Sequence, residues 1–384
     1  MKLHVSHVIT GLGTGGAERM LCKLLGALDQ KFFDLRVVSL LDEGTQGVHI
    51  RSLGIPLDVL ELRKYTPWRL LRLTRLFRRH QPTLVQSWMY HANVAASLTT
   101  MGSGVPVVWN IRHSLDNLNA EKPITQAVIR FGAPLSRTTA AIVYNSKRSA
   151  EQHERLGYEP GRRIVIPNGF DLAQFQPSAE AKKRLRALLG IPESGLVIGL
   201  VARCHPMKDP QNFLAAARQV LDSKREAHFL MVGTGMERTN AMLTRMISET
   251  GLEDRVHLLG ERGDIQDLVP GLDVVALASS HGEGFPNAIG EAMASGVPCA
   301  VTDVGDAGWL VGDTGRVVPP KNPEALAGAL INLIDMGDAG RLTLGMAARQ
   351  RVAERFSLDA VSREYAALYD EVARERGLRC HVRH

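Results

Sequence analysis

The sequence predicts an α/β protein made of two doubly wound parallel sheets in series. Three observations lead there. The chain has 384 residues, more than one hydrophobic core comfortably organises. Short β-branched runs alternate with longer helical patterns from end to end, the rhythm of βαβ units. That rhythm halts at a polar turn near the middle and then restarts. Composition suits a folded protein, since 45% hydrophobic and 22% charged residues lie far from the low-hydrophobicity, high-charge disordered class.

Taken in order, the strands expected in the first half are Leu3–Ile9, Leu35–Leu41, Leu57–Leu62, Thr83–Trp88, Val105–Asn110 and Ala141–Asn145, most of them separated by helical patterns. Pro167-Asn168-Gly169-Phe170-Asp171 then reads as a turn, and the polar stretch Gln174–Lys183 as a linker. The second set comprises Leu196–Arg203, His228–Gly233, Val256–Leu259, Asp273–Ala278 and Val297–Thr302, with helices such as Pro210–Leu221 and Glu237–Thr250 between them. The expected domains are therefore 1–170 and 171–357. From Pro323 to Arg376 the pattern is almost continuously helical, with breaks near Gly337–Gly340. Its last piece, 358–384, either caps the second domain or crosses back to the first.

Several function classes are set aside by composition. Cys22, Cys204, Cys299 and Cys380 show no CxxC spacing, so neither a metal cluster nor a disulfide framework is expected, and a reducing cytoplasm suits the chain. Met1 runs straight into the first strand without a basic leader or cleavage site, unlike a signal peptide. No apolar stretch approaches the roughly 18 residues that span a bilayer. A net charge of +6 and a pI near 9.2 favour anionic partners. Nucleic acid is not expected among them, because no nucleic-acid module is recognised and only 5% of residues are aromatic.

Three segments could carry chemistry. The loop Gly11-Leu12-Gly13-Thr14-Gly15-Gly16 follows a strand, opens a helix and matches GxGxxG. Small residues there let backbone amides approach a phosphate. Read alone, the loop suits a nicotinamide-dependent oxidoreductase with Asp42 as the ribose-binding acid, or a tight turn that holds no phosphate. In Ala202-Arg203-Cys204-His205-Pro206-Met207-Lys208-Asp209, two cations five residues apart lie at the carboxyl end of a strand, where open α/β sheets bind ligands. Arg offers a planar fork and Lys a point charge, a pair suited to two bridging phosphates or simply to a solvated basic loop. The third segment, Ser279-Ser280-His281-Gly282-Glu283-Gly284-Phe285-Pro286-Asn287-Ala288-Ile289-Gly290-Glu291, opens a helix with Pro286 in its first turn and Gly296 past its end. Glu283 precedes that helix and Glu291 lies about one turn inside it. Two carboxylates at different depths suit a ligand with vicinal hydroxyls at both ends, or else cap the helix and meet water.

The glycine loop, Arg203…Lys208, Glu283-x7-Glu291, Gly296-Val297-Pro298…Thr302-Asp303 and the tail Phe356-Ser357 with Tyr365…Tyr369, in that order, resemble the retaining glycosyltransferases of family 4 (group 1 glycosyltransferases) over nearly the whole chain. The resemblance implies the GT-B fold, two Rossmann-like domains facing a central cleft. It implies transfer of a sugar from a nucleotide-diphosphate sugar to a glycan or lipid-linked acceptor, as in cell-surface polysaccharide or glycolipid synthesis, with no cofactor and no metal. Carried over by position, Arg203 and Lys208 would neutralise the donor diphosphate and Glu291 would hold the ribose hydroxyls. Glu283 would engage the sugar together with the backbone of Gly284, Phe285, Pro286 and Asn287, with Pro286 contributing only its carbonyl. Gly16 would approach the diphosphate. His113 matches a histidine that contacts the donor sugar near the reacting carbon, while Arg112 and His91 would line the acceptor side.

One further segment, Trp68–Arg79, reads as an amphipathic helix. At 100° per residue Leu70, Leu73, Leu76 and Phe77 share one arc, and Arg72, Arg75, Arg78 and Arg79 the opposite one. Such a helix is either an ordinary crossover or a dock for anionic lipid on the cytoplasmic membrane face.

Overall fold

The computed structural model describes residues 2–62 and 69–377. The chain forms two compact units, divided after Gly169 and again before Leu358. In the first unit seven strands alternate with helices: β1 (Leu3–Ile9), α1 (Gly16–Ala27), β2 (Phe33–Ser39), α2 (Gln46–Ser52), β3 (Leu57–Val59), α3 (Leu70–His80), β4 (Leu84–Trp88), α4 (Tyr90–Thr100), β5 (Val107–Ile111), α5 (Pro123–Leu135), β6 (Ala141–Tyr144), α6 (Lys147–Arg155) and β7 (Arg163–Val165). Every pairing is parallel, in the order β3-β2-β1-β4-β5-β6-β7. Such sheets are covered on both faces, and separate apolar clusters lie around Leu21, Leu24 and Leu35 and around Val85, Trp109 and Ile142.

The second unit begins with α7 (Ala179–Leu189) and continues β8 (Val197–Val201), α8 (Pro210–Asp222), β9 (His228–Val232), α9 (Ala241–Thr250), β10 (Val256–Leu258), α10 (Ile265–Leu268), β11 (Val274–Leu277), α11 (Asn287–Ala294), β12 (Cys299–Thr302), α12 (Ala307–Val311), β13 (Gly315–Val318), α13 (Pro323–Asp335) and α14 (Gly337–Arg355). Its six parallel strands run β10-β9-β8-β11-β12-β13. The last helix, α15 (Leu358–Arg374), belongs to the first unit. It buries Val361, Tyr365 and Tyr369 in the same cluster as Leu21 and Trp88.

In each sheet the strand order reverses once, between β1 and β4 and between β8 and β11. A crevice opens at the carboxyl ends of such strand pairs. The glycine loop leaves β1, and the basic and acidic segments leave β8 and β11.

Several expectations are corrected. Gln174–Lys183 is no plain linker: Ser178 Oγ accepts from Ala181 N at 3.1 Å and starts α7. Its polar face is pinned, with Arg186 buried on Asp273 and Lys182 2.9 Å from the same carboxylate. The helix expected from Glu237 begins at Ala241, because Asn240 Oδ1 caps Leu243 N. Strands β7 and β13 went unread, being short edge strands that carry Arg163 and Arg316. The first unit ends one residue before the expected boundary, since Phe170 N donates to Phe356 O at 2.9 Å inside the second unit. The tail breaks at Gly337, whose φ is +65°, whereas Gly340 continues the helix.

Candidate functional site

In the second unit the site grows from three neighbouring strand ends. After β8 the chain stays extended, with Ala202 N donating to Val232 O and Cys204 N to Thr234 O. It then tightens into the single turn Pro206–Lys208. Asp209 follows at φ +48° and caps α8 by accepting from Asn212 N at 3.1 Å. A left-handed residue directly after Lys208 separates this turn from the next helix, and the capping bond helps to hold that conformation.

After β11, Ser280 N donates to Met207 O at 2.9 Å, fastening one loop to the other. Lys208 Nζ meets Glu283 Oε1 at 2.5 Å, and Ser279 Oγ donates to the same oxygen at 2.5 Å. Glu283 is buried, and the Lys208 side chain is largely so. A buried carboxylate is costly unless paired and hydrogen-bonded, and these two partners supply both. The third strand end supports the loop from behind. Thr302 Oγ1 donates to Ser279 O at 2.8 Å, and Asp306 N to Gly284 O at 2.9 Å. Gly305 sits at φ +61°, where an added Cβ would lie 2.2 Å from Glu283 O. Only glycine allows that approach.

Among the described residues, Lys208 Nζ makes no other hydrogen bond, so two of its three N–H groups remain to meet a ligand. Arg203 is exposed and has no side-chain hydrogen bond or ion pair among the described residues. Burial lowers the His205 pKa, and the nearby charges of Arg203, His281 and Lys208 lower it further. Such surroundings suit an anion.

The helix α11 starts at Asn287, so Pro286 stands at the N-cap instead of the first turn and offers no side-chain acceptor. Glu291 is half-buried on this helix. The Phe285 ring belongs to the core, packed on Phe170, Trp309 and Phe356 with centroids 5.4 to 6.2 Å away. Only its backbone can face a ligand. The structure thus brings Lys208 and Glu283 into contact and sets the start of α11 four residues beyond Glu283.

In the first unit, Gly15 is the N-cap of α1 and gives it no side-chain acceptor, and Gly16 is its exposed first residue. Asp42 lies three residues beyond β2 and accepts from Leu12 N at 3.5 Å. His91 lies in the first turn of α4, after Met89 turns the chain at φ +70° beyond the end of β4. His113 is two residues beyond β5, its Nδ1 3.3 Å from Tyr90 Oη and its Nε2 3.6 Å from Glu121 Oε1. Burial lowers its pKa, with Glu121 and Asp116 opposing.

Arg112, expected on the acceptor side, spends its donors internally. Nε and Nη2 donate to Asn168 Oδ1, Nη2 also to Pro167 O at 3.2 Å, and Nη1 to Asn110 Oδ1 at 3.2 Å and Tyr365 Oη at 2.9 Å. Its guanidinium also lies 5.8 Å from the Trp88 ring. With five N–H groups accounted for, Arg112 ties the sheet to α15 and to the segment leaving the unit. Trp68 lies outside the described residues. The rest of the amphipathic segment is α3, which buries Leu73 and Phe77 and exposes Arg72, Arg75, Arg78 and Arg79.

Comparison with known proteins agrees with this architecture. Residues 14–174 match the model for Glycosyltransferase Family 4, and residues 195–336 match that for Glycosyl transferases group 1. The chain is 24% identical over 350 residues to the UDP-Gal:alpha-D-GlcNAc-diphosphoundecaprenol alpha-1,3-galactosyltransferase of Escherichia coli, covering 87% of this chain and 88% of that protein. It is 31% identical over 299 residues to D-inositol 3-phosphate glycosyltransferase of Salinispora tropica, covering 72% of this chain and 61% of the relative. The crystal structure of Anabaena HepE in complex with UDP superposes with a TM-score of 0.83 at 23% identity, over 96% of this chain and 99% of that one.

Proposed function

Because this chain belongs to the family 4, group 1 glycosyltransferases of GT-B fold and moves a sugar from a nucleotide sugar, we propose that it does so with retention of anomeric configuration and without a metal. The acceptor is a glycan or lipid-linked saccharide of cell-surface polysaccharide or glycolipid synthesis. The observation that carries this reading is the 2.5 Å contact between Lys208 and Glu283, made where the strand order of the second sheet reverses. The galactosyltransferase named above, whose substrates are a UDP-sugar and a diphosphoundecaprenol-linked sugar, supports the donor and acceptor classes.

In this reading the bond between the anomeric carbon and the donor's phosphate oxygen breaks first, and the diphosphate gains charge as it leaves. Arg203 and Lys208 neutralise that charge, aided by the positive end of α11, and fixed cations contribute most at that moment. The backbone at Gly284, Phe285, Pro286 and Asn287 approaches the donor, Glu291 takes the ribose hydroxyls, and Gly16 approaches the diphosphate. Glu283, held by Lys208 and Ser279, orients the sugar hydroxyls and does not attack. The acceptor hydroxyl adds on the face from which the diphosphate departs and passes its proton to a departing phosphate oxygen. His113 contacts the sugar near the reacting carbon.

The exposed arginines of α3 support a peripheral position on the cytoplasmic face of an anionic membrane. No helix among the described residues is long and apolar enough to cross one.

Thermal-shift screening of UDP- and GDP-sugars identifies the donor, because stabilisation grows with ligand concentration over its dissociation constant. Product NMR then reads the anomeric configuration: an inverted product overturns the retaining reading. Abolition of turnover by EDTA, with recovery on adding a divalent cation, overturns the metal-free one.

A further inference from the structure

His113, half-buried itself, ends a chain of polar groups through buried Tyr90 and His153 that determines which of its ring nitrogens carries the proton. The chain starts at the carbonyl of Ser149, which lies 2.7 Å from His153 Nδ1. A carbonyl oxygen can only accept, so Nδ1 of His153 bears hydrogen. His153 is buried among the rings of Tyr90, Tyr144 and Tyr158, at centroid distances of 5.1 to 5.6 Å. Burial lowers its pKa to about 4, so at neutral pH its Nε2 holds a lone pair. Tyr90 Oη lies 2.8 Å from that nitrogen, and its single hydrogen therefore points there. The phenol oxygen can then only accept from its other neighbour, His113 Nδ1, at 3.3 Å.

We propose that Tyr90 and His153 act as positioning residues that hold neutral His113 as its Nδ1–H tautomer and leave Nε2 as a hydrogen-bond acceptor. Free histidine in water favours the opposite tautomer, so the arrangement is imposed by this chain of bonds. Its consequence for substrate rests on the transfer reading above: the sugar hydroxyl that meets His113 must donate to Nε2. The groups facing His113 are Tyr90 on α4, Glu121 and Asp116 on the loop after β5, and His153 beyond Tyr90. Glu121 Oε1, 3.6 Å from Nε2, offers a second acceptor. With Nδ1 protonated it pairs with Nε2 only when the ring is doubly protonated, which burial disfavours; the neutral Nε2–H tautomer would donate to it but would lose the bond to Tyr90. Nothing in the sequence marks this chain, because residues 90, 113 and 153 lie on three separate elements.

The test is ¹⁵N NMR of the histidine-labelled full chain, with the His113 signals assigned by loss in H113Q. The wild type should show a pyrrole-like Nδ1 and a pyridine-like Nε2. Y90F removes the acceptor with little change of shape and should mix the tautomers. It should also lower kcat about three- to tenfold with a smaller effect on KM, as expected for one lost hydrogen bond. The Y90F/H113Q double variant should be no slower than H113Q, since the two residues act as one unit. An Nε2–H signal in the wild type, or a ring unaltered by Y90F, overturns the relay. If the relay is found while H113Q transfers sugar at the wild-type rate, the catalytic reading of His113 falls and the relay stands.

Discussion

At the scale of single residues, the Lys208–Glu283 contact decides most. Either K208A or E283Q should lower kcat by about 10²- to 10³-fold, the usual cost of losing one preorganised electrostatic partner, while circular dichroism stays native. Turnover near the wild-type rate in both would remove the site. G305A tests the support beneath it. Its Cβ would lie 2.2 Å from Glu283 O at a φ of +61°, so a loss of about 1 to 3 kcal/mol in urea unfolding is expected, with weaker donor binding. The buried histidines His7 and His153 should make the first unit acid-sensitive. Burial lowers their pKa values from 6.5 to about 3 and about 4. Between those values and 6.5 the unfolded chain binds more protons, so each histidine's stabilisation is complete above pH 6.5 and is lost on acidification. The slope approaches about 1.4 kcal/mol per pH unit for each group, and urea titrations between pH 7 and 4 would measure it. Lys208 and Glu283, which meet in the structure, could be read from the sequence as candidates because each follows a strand in an ordered pattern, as does Arg203, while Glu291 lies inside α11. Ser279, Gly305, Tyr90 and His153 could not, since each acts through a contact made only on folding. Arg112 was placed on the acceptor side because its neighbour His113 matched the family, yet Asn168 and Tyr365 hold it inside its own unit.

At the scale of elements, legibility follows burial. The central strands β8 and β11 read as apolar runs, and β1 and β4, although they carry His4, Ser6, His7, Gln86 and Ser87, are almost wholly buried. The edge strands β7 and β13 have three and four residues and carry arginines, so their pattern is weak. Helix α7 was hidden for another reason: its polar residues look solvated until Asp273 is known to receive them. The buried Asp273 carboxylate takes Arg186, Lys182 at 2.9 Å and Val197 N at 2.8 Å, joining α7 to the starts of β8 and β11. Removing one partner of a buried ion pair strands the other. D273A should therefore cost about 3 to 5 kcal/mol, seen as a lower urea midpoint. A change below about 0.5 kcal/mol, the level of ordinary surface substitutions, would show that α7 is held by its apolar face alone.

At the scale of the whole molecule, two parallel sheets could be read from a repeated rhythm, and the return of α15 to the first unit could not. Its alternation of apolar and charged residues fits any amphipathic helix, and only the burial of Tyr365 and Tyr369 against the first sheet's core assigns it. Overall charge gives the last prediction. The net +6 is partly concentrated on α3, whose inner side is committed to the core through Leu73 and Phe77 while Arg72, Arg75, Arg78 and Arg79 face water. Each arginine near an anionic surface contributes about 1 kcal/mol. Replacing all four by glutamine should lower partitioning onto phosphatidylglycerol vesicles by roughly two to three orders of magnitude on that scale. Fold and turnover on a water-soluble acceptor should be kept, because no site residue is touched. Flotation assays in low salt should show wild-type binding that fades as salt rises, since screening acts within a Debye length. Equal flotation of the two proteins would mean that the arginines merely keep a crossover helix in water.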